Sequence, residues 1–321
     1  MSLVSKQLQS SGFSQRATQL IMSSWRKTTK KQYQSYIRKW LHFCSQRGHN
    51  PLTPDVHLVV NFLTECYDSG LGYSAISTAR SALSTFITLD NVPLGQNSAV
   101  SRLIKGIYAS RPALPKTNVI WDTDIVIKYL KKLSPCTKLN LAVMTWKTTV
   151  LTALLTGQRA QSLHLMDIRN MMLTKSKVKF RFADLLKQTR PGYQLHEITI
   201  KAYPPDKRLC LVLLLHEYLD RVKNIRGDCT KLFLTTQPPY REASQQTIAR
   251  WVKHMLIKAG LDMSIFTPHS TRSAATCKAK SCNIPLLTIL KTGGWSGEST
   301  FAKYYNKPIM KEGSIAQAIL N

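Results

Sequence analysis

Four short segments carry side chains suited to handling a phosphate. The first is Thr156-Gly157-Gln158-Arg159 and the second is Leu186-Lys187-Gln188-Thr189-Arg190-Pro191-Gly192. The third is Thr267-Pro268-His269-Ser270-Thr271-Arg272. The fourth joins Gly293-Gly294-Trp295 to Phe301-Ala302-Lys303-Tyr304-Tyr305-Asn306-Lys307-Pro308. Arginine forks bind phosphate oxygens in pairs and stay charged. Histidine moves protons near neutral pH. A tyrosine phenol, with a free pKa of ~10, becomes a nucleophile only when a neighbour activates it. Alone, each segment has a plainer reading. An arginine after a helix is a surface charge, His-x-x-Arg is a helix-surface pair, Tyr-Tyr is core or interface, and Gly-Gly-Trp is a packed turn. The information lies in their order.

In this order, after a basic helical stretch, the segments resemble the catalytic half of the tyrosine recombinase family. That family orders Arg, Lys, His-x-x-Arg, His or Trp, then Tyr. The 28 residues from Arg159 to Lys187 and the 23 from Arg272 to Trp295 are similar to the intervals of phage Cre-type members, which also place Trp late. The Gly-Gln-Arg box, the Lys-x-x-Arg-Pro-Gly hairpin, His-Ser-Thr-Arg, Gly-Trp-Ser and the final aromatic-Tyr-Asn-Lys-Pro look closer to recombinases of DIRS-type retrotransposons and crypton-like elements. The resemblance spans nearly the whole chain and is strongest over residues 150–308.

The resemblance implies a DNA strand-transferase working through a 3′-phosphotyrosyl intermediate and a Holliday junction, with no metal and no small-molecule cofactor. Arg159 and Arg272 would clamp the non-bridging oxygens and stabilise the pentavalent transition state. His269 would assist as general base or hydrogen-bond partner. Lys187, on a mobile hairpin, would protonate the departing 5′ oxygen. Trp295 would pack against the site and offer its indole N–H, which is neither acid nor base. The nucleophile has two candidates. Phage and bacterial relatives place it nine residues after the Trp position, at Tyr304. Retrotransposon-like relatives read Phe-Tyr before Asn-Lys-Pro, which points to Tyr305. Adjacent helical residues point ~100° apart, so only one faces the phosphate. Tyr305 is favoured, with Tyr304 as its packing neighbour and alternative. Many members carry an acid three residues after the first arginine; here Ser162 stands there, so a carboxylate that orients the site is missing or replaced.

Charge agrees with a polyanion partner. The chain has 45 Lys+Arg against 17 Asp+Glu, a net +28. Such a chain gains from neutralising phosphates and releasing their counterions. The excess is in both halves: 13 basic and 4 acidic residues over 1–115, and 32 and 13 over 116–321. No apolar run reaches the ~18–20 residues of a membrane span, and the first residues lack a secretory core. Seven cysteines without a C-x-x-C pair fit scattered reduced thiols better than a disulfide framework or zinc site.

The elements that must position these groups are mostly helical. Tyr33, Tyr36, Ile37, Trp40, Leu41 and Cys44 form one apolar stripe over Thr28–Gly48. Arg26, Lys27, Lys30, Lys31, Arg38 and Lys39 supply basic positions for DNA, joined in the hairpin by Arg190. Further helices are predicted over Pro54–Tyr67, capped by Thr53, and over Ser74–Leu89. Residues 1–110 thus read as a helical bundle with a basic surface, which the resemblance implies is a core-binding, SAM-like domain. Prolines mark a linker over 111–120, and 121–321 is the catalytic domain. In it, helices are expected over Trp121–Leu133, Leu139–Leu155, Leu209–Arg221 and Ser244–Ala259. Short β-branched runs over Lys175–Ile200 read as a small antiparallel sheet. The fold class is mainly α with that sheet, and the family implies a two-domain C-shaped clamp on double-stranded DNA, assembled as a homo-tetramer on paired sites. The tail, 314–320, is an amphipathic segment that in relatives docks on a neighbouring protomer; packing in cis is its alternative.

Three other functions share parts of this pattern. A domesticated, catalytically silent DNA-binding protein would keep the fold, and Ala274–Trp295 imitates a helix-turn-helix. A type IB topoisomerase uses the same catalytic logic without pairing sites. An RNA-binding structural protein explains only the charge. The basic run Arg26–Lys31 reads as a nuclear signal or a DNA-facing helix start. A eukaryotic mobile-element protein would act in the nucleus, any other in the cytoplasm.

Overall fold

The structure, a computed structural model, describes the chain except residues 90–91, 113–117, 188, 190, 193–196, 296 and 311–321, and the side chains of Thr300, Lys303 and Tyr304. Arg190 and the tail therefore lie outside the described residues. The chain divides into two compact units, Met1–Pro115 and Lys116–Asn321.

The first unit holds α1 (Ser2–Ser10), α2 (Gln15–Ser23), α3 (Lys27–Gln46), α4 (Val56–Asp68), α5 (Tyr73–Leu83), a ribbon of β1 (Thr88–Leu89) with β2 (Val92–Pro93), and α6 (Ser98–Ser110). On α3, Ile37, Trp40, Phe43 and Cys44 are buried. Trp40 stacks with Phe43 and meets Phe62 of α4 edge-on, with centroids 5.8 and 5.2 Å away, while its indole donates to the Pro51 carbonyl at 3.0 Å. Each such ring removes enough apolar surface to contribute ~1.5–3 kcal/mol. Phe43 lies in this core although the expected stripe passes it by. The cap of α4 is Asp55, which accepts from Leu58 N at 2.6 Å, not Thr53. The helix expected to reach Leu89 stops at Leu83. Thr85 Oγ1 donates back to the Ala82 carbonyl, a local bond that competes with the helix. The chain then enters the ribbon, where Thr88 pairs with Pro93.

The second unit contains α7 (Thr123–Lys132), α8 (Leu141–Thr156), α9 (Ala160–Leu165), β3 (Met171–Leu173), β4 (Lys177–Arg181), β5 (Glu197–Lys201), α10 (Leu211–Val222), α11 (Gln245–Lys258), α12 (Ser270–Ser281), α13 (Leu286–Gly293) and α14 (Glu298–Tyr304). The end of the expected linker belongs here: Ile120 is buried, pairs in parallel with Ile309, and donates to the Pro308 carbonyl at 2.9 Å. The antiparallel sheet runs β3-β4-β5 and pairs Val178 with Ile200 and Phe180 with Ile198. Val178, Phe180 and Ile198 turn inward.

At the centre stands α8, buried on nearly every face and packed on α10, α11 and α12. It is rich in threonine, which an apolar setting normally penalises. Thr148, Thr149, Thr152 and Thr156 each donate to the carbonyl four residues back at 2.6–2.8 Å, so no hydroxyl of these four is left unmet. Lys147, fully buried, donates to the Leu133 carbonyl at 2.7 Å. The helix ends at Thr156, directly before Gly157-Gln158-Arg159.

Candidate active site

Gly157 ends α8 in the left-handed conformation, with φ 58°. That geometry disfavours any residue with a Cβ, and it turns the chain so that Arg159 caps α9. Arg159 is half-buried and lines a cleft together with Lys187, His269 and Tyr305. Lys187 reaches it from the connection between β4 and β5. His269 precedes α12, whose first residue, Ser270, accepts from the buried Trp121 indole at 2.8 Å. No aspartate or glutamate is among the described residues lining this cleft.

Tyr305 follows α14 and is 8% exposed. Its hydroxyl lies 3.3 Å from His269 Nε2. An imidazole with its proton on Nδ1 accepts the phenolic hydrogen there. The Tyr305 ring meets Trp295 edge-on at 4.8 Å, and Trp295 meets Phe301 at 5.4 Å. These rings and Ile289 and Leu290 make a small apolar cluster of their own, separate from the main core. Trp295 packs tightly against Gly293: a Cβ there would stand 2.0 Å from the indole. The Trp295 indole N–H has no partner among the described residues. Tyr304 ends α14; its side chain is outside the description.

Arg272 departs from the sequence expectation. It is 1% exposed and does not line the cleft. Its guanidinium lies 3.5 Å over the Trp295 ring and 5.2 Å from the Tyr305 ring, and Nη1 donates to the Gly157 carbonyl. Cation–π attraction to a desolvated indole holds it there. Arg272 thus braces the Gly157 turn and the Trp295–Tyr305 cluster rather than presenting a fork at the surface.

Residues 128–311 match the model of the phage integrase family, and residues 7–89 match its N-terminal SAM-like domain. The chain belongs to the phage integrase family. This is the tyrosine recombinase family that the ordered segments resemble. Among solved structures, the integrase fold here is similar to the Tn1549 transposon integrase in complex with transposon right end DNA (TM-score 0.60, 14% identity, 99% of this chain and 96% of that one). It is similar to a lambda integrase dimer bound to a COC' core site (TM-score 0.56, 19% identity, 92% and 94%). A third is the XerH site-specific recombinase bound to difH substrate in a pre-cleavage complex (TM-score 0.53, 14% identity, 77% and 66%). No curated protein matches the chain.

Against the integrase-family pattern, Ser162 is buried on α9, and no carboxylate replaces the usual acid in the cleft among the described residues. Gln158, outside the expected site, is 3% exposed and donates to the Thr292 carbonyl at 2.8 Å, tying the Arg159 turn to the end of α13. The Gly-Gln-Arg box held this residue, yet nothing local signalled a partner 134 positions away. Of the expected DNA contacts, Arg26, Lys27, Lys31, Arg38 and Lys39 are exposed and Lys30 is half-buried along α3 of the first unit. No helix among the described residues is long and apolar enough to cross a membrane, and no cluster there suits a metal.

His269 remains solvent-accessible as a residue, yet its ring is enclosed closely enough to feel desolvation. Desolvation first, then Arg159, Arg272 and Lys187, lowers its pKa from 6.5 to about 4. The imidazole is therefore neutral at neutral pH and free to accept a proton. The unfolded chain binds the extra proton between those two values. Stability is thus fully present above pH 6.5 and falls toward about pH 4. Urea midpoints of the DNA-free protein should drop across that window, and drop less for His269→Gln. Parallel pH profiles for the two proteins would contradict the assignment.

Proposed function

We propose that the protein is a tyrosine recombinase of a mobile element that cleaves and rejoins double-stranded DNA through a 3′-phosphotyrosyl intermediate. One observation carries this reading: Arg159, Lys187, His269 and Tyr305 line one cleft without a carboxylate among its described lining. A cleft of that kind favours a phosphodiester. Neutral His269 takes the Tyr305 proton as the phenol attacks phosphorus. Arg159 meets the non-bridging oxygens, Arg272 adds charge from behind, and Trp295, whose indole N–H is buried and outside the described cleft lining, packs the site. Lys187 protonates the 5′ oxygen as it leaves, and reversal with a new 5′ hydroxyl rejoins the strand. The arginines take the electrostatic role that a metal fills in other phosphoryl enzymes.

The Gly157-Gln158-Arg159 box and the Tyr305-Asn306-Lys307-Pro308 end support a DIRS- or crypton-like source and hence action in the nucleus. Strand exchange between paired sites would call for a homo-tetramer acting through a Holliday junction; lambda integrase, of similar fold, is seen as a tetramer bound to such a junction. The test is incubation with a pool of nicked duplexes of randomised sequence. A denaturant-resistant protein–DNA complex, absent with Tyr305→Phe, is expected. DNA binding with no such complex would favour the silent binding protein, and relaxation of unpaired supercoiled plasmid would favour the topoisomerase.

A further inference from the structure

The helix that begins just after His269 and carries Arg272 also grips the main chain behind the reactive phenol. Cys277, 5% exposed, donates its thiol to the Tyr305 carbonyl at 2.8 Å. The same sulfur accepts the Lys307 N–H at 3.4 Å. One turn further, Lys280 Nζ donates to Asn306 Oδ1 at 3.0 Å. His269, Ser273, Cys277 and Lys280 recur at helical three- and four-residue spacing, so α12 presents one face to residues 305–307.

This grip meets a specific need. Tyr305 is the residue at which α14 ends, with φ −123° and ψ −16°. Carbonyls at a helix end lack intrahelical donors, and one that is buried needs a partner from elsewhere. Cys277 supplies it. The phenol is then fixed at three points: its hydroxyl toward His269, its ring on Trp295, and its carbonyl on Cys277. Burial first raises the thiol pKa, so the group stays protonated and able to donate.

We propose that Cys277 is a positioning residue for the nucleophile: by holding the backbone of Tyr305–Lys307 on α12, it sets the Tyr305 hydroxyl against His269 and the cleft. The proposal rests on Tyr305 as the attacking group. It does not place Cys277 in contact with DNA.

Two measurements test it. In the DNA-free protein, Cys277→Ala should speed hydrogen exchange of the Lys307 amide, because that N–H loses its acceptor. Cys277→Ser, which keeps a donor and an acceptor, should hold exchange near the wild-type rate. On nicked duplexes, Cys277→Ala should slow single-turnover formation of the covalent complex about tenfold to a hundredfold, the scale of a small misplacement. DNA affinity should stay unchanged, and Cys277→Ser should recover most of the rate. If Cys277→Ala unfolds, Cys277→Val takes its place, keeping bulk without polarity. Wild-type exchange at Lys307 in the apolar variant overturns the proposal, as does a wild-type cleavage rate. So does a serine variant as slow as alanine, or a loss of rate that merely follows a loss of DNA affinity. Absence of any covalent complex with wild-type protein refutes the nucleophile reading instead. The exchange data then still decide whether Cys277 holds the segment.

Discussion

Arg159→Ala is expected to leave the protein folded and DNA-bound while slowing strand cleavage by about 10²–10³-fold, the cost of removing one preorganised donor to a developing oxyanion. The side chain is half-buried on the cleft wall, and its backbone is placed by the left-handed Gly157 turn and the start of α9. Arg159→Lys should recover little, because an ammonium lacks the planar fork that engages two phosphate oxygens. Single-turnover rates of covalent-complex formation, set beside filter-binding affinities, read the effect directly. A lysine variant at the wild-type rate would show that only the charge matters there.

Arg272→Ala should behave differently, losing stability and cleavage together. Its guanidinium is buried against Trp295 and donates to the Gly157 carbonyl, so truncation opens a cavity under the indole and removes that donor. Each effect is individually large in a core, and together they should cost about 3 kcal/mol or more. That is a sizeable part of the ~5–15 kcal/mol that keeps a domain folded. Thermal and urea unfolding of Arg159→Ala and Arg272→Ala side by side should separate the two arginines. Equal unfolding midpoints would mean that Arg272 is not the brace seen here but a second surface fork.

Much of the site was readable because its members lie in compact segments whose order is informative. The helices were readable where one apolar face repeats, as on α3, or where apolar residues run on at length, as on α8. Periodicity failed where side chains or tertiary partners overrode it. The spacing of Leu83, Phe86, Ile87 and Leu89 continues a helix on paper, yet the backbone bonds of the β1–β2 ribbon claim the last of them. Thr53 resembles a cap, but the Asp55 carboxylate reaches Leu58 N and wins. The supports of the site left no local mark. Trp121 to Ser270, Gln158 to Thr292 and Cys277 to Tyr305 are single hydrogen bonds across 149, 134 and 28 residues. The burial of Arg272 was equally hidden, since its sequence neighbours are polar and its apolar partner, Trp295, comes from another element.

The central claim is that Tyr305 is the residue that takes the DNA. It is tested most directly by isolating the covalent complex formed on nicked duplexes, digesting protein and DNA, and locating the nucleotide-bearing residue by mass spectrometry. The result expected is a nucleotide 3′-phosphate on Tyr305, and none on any variant carrying Tyr305→Phe. A nucleotide on Tyr304, or no covalent complex from the wild-type protein, would contradict the account.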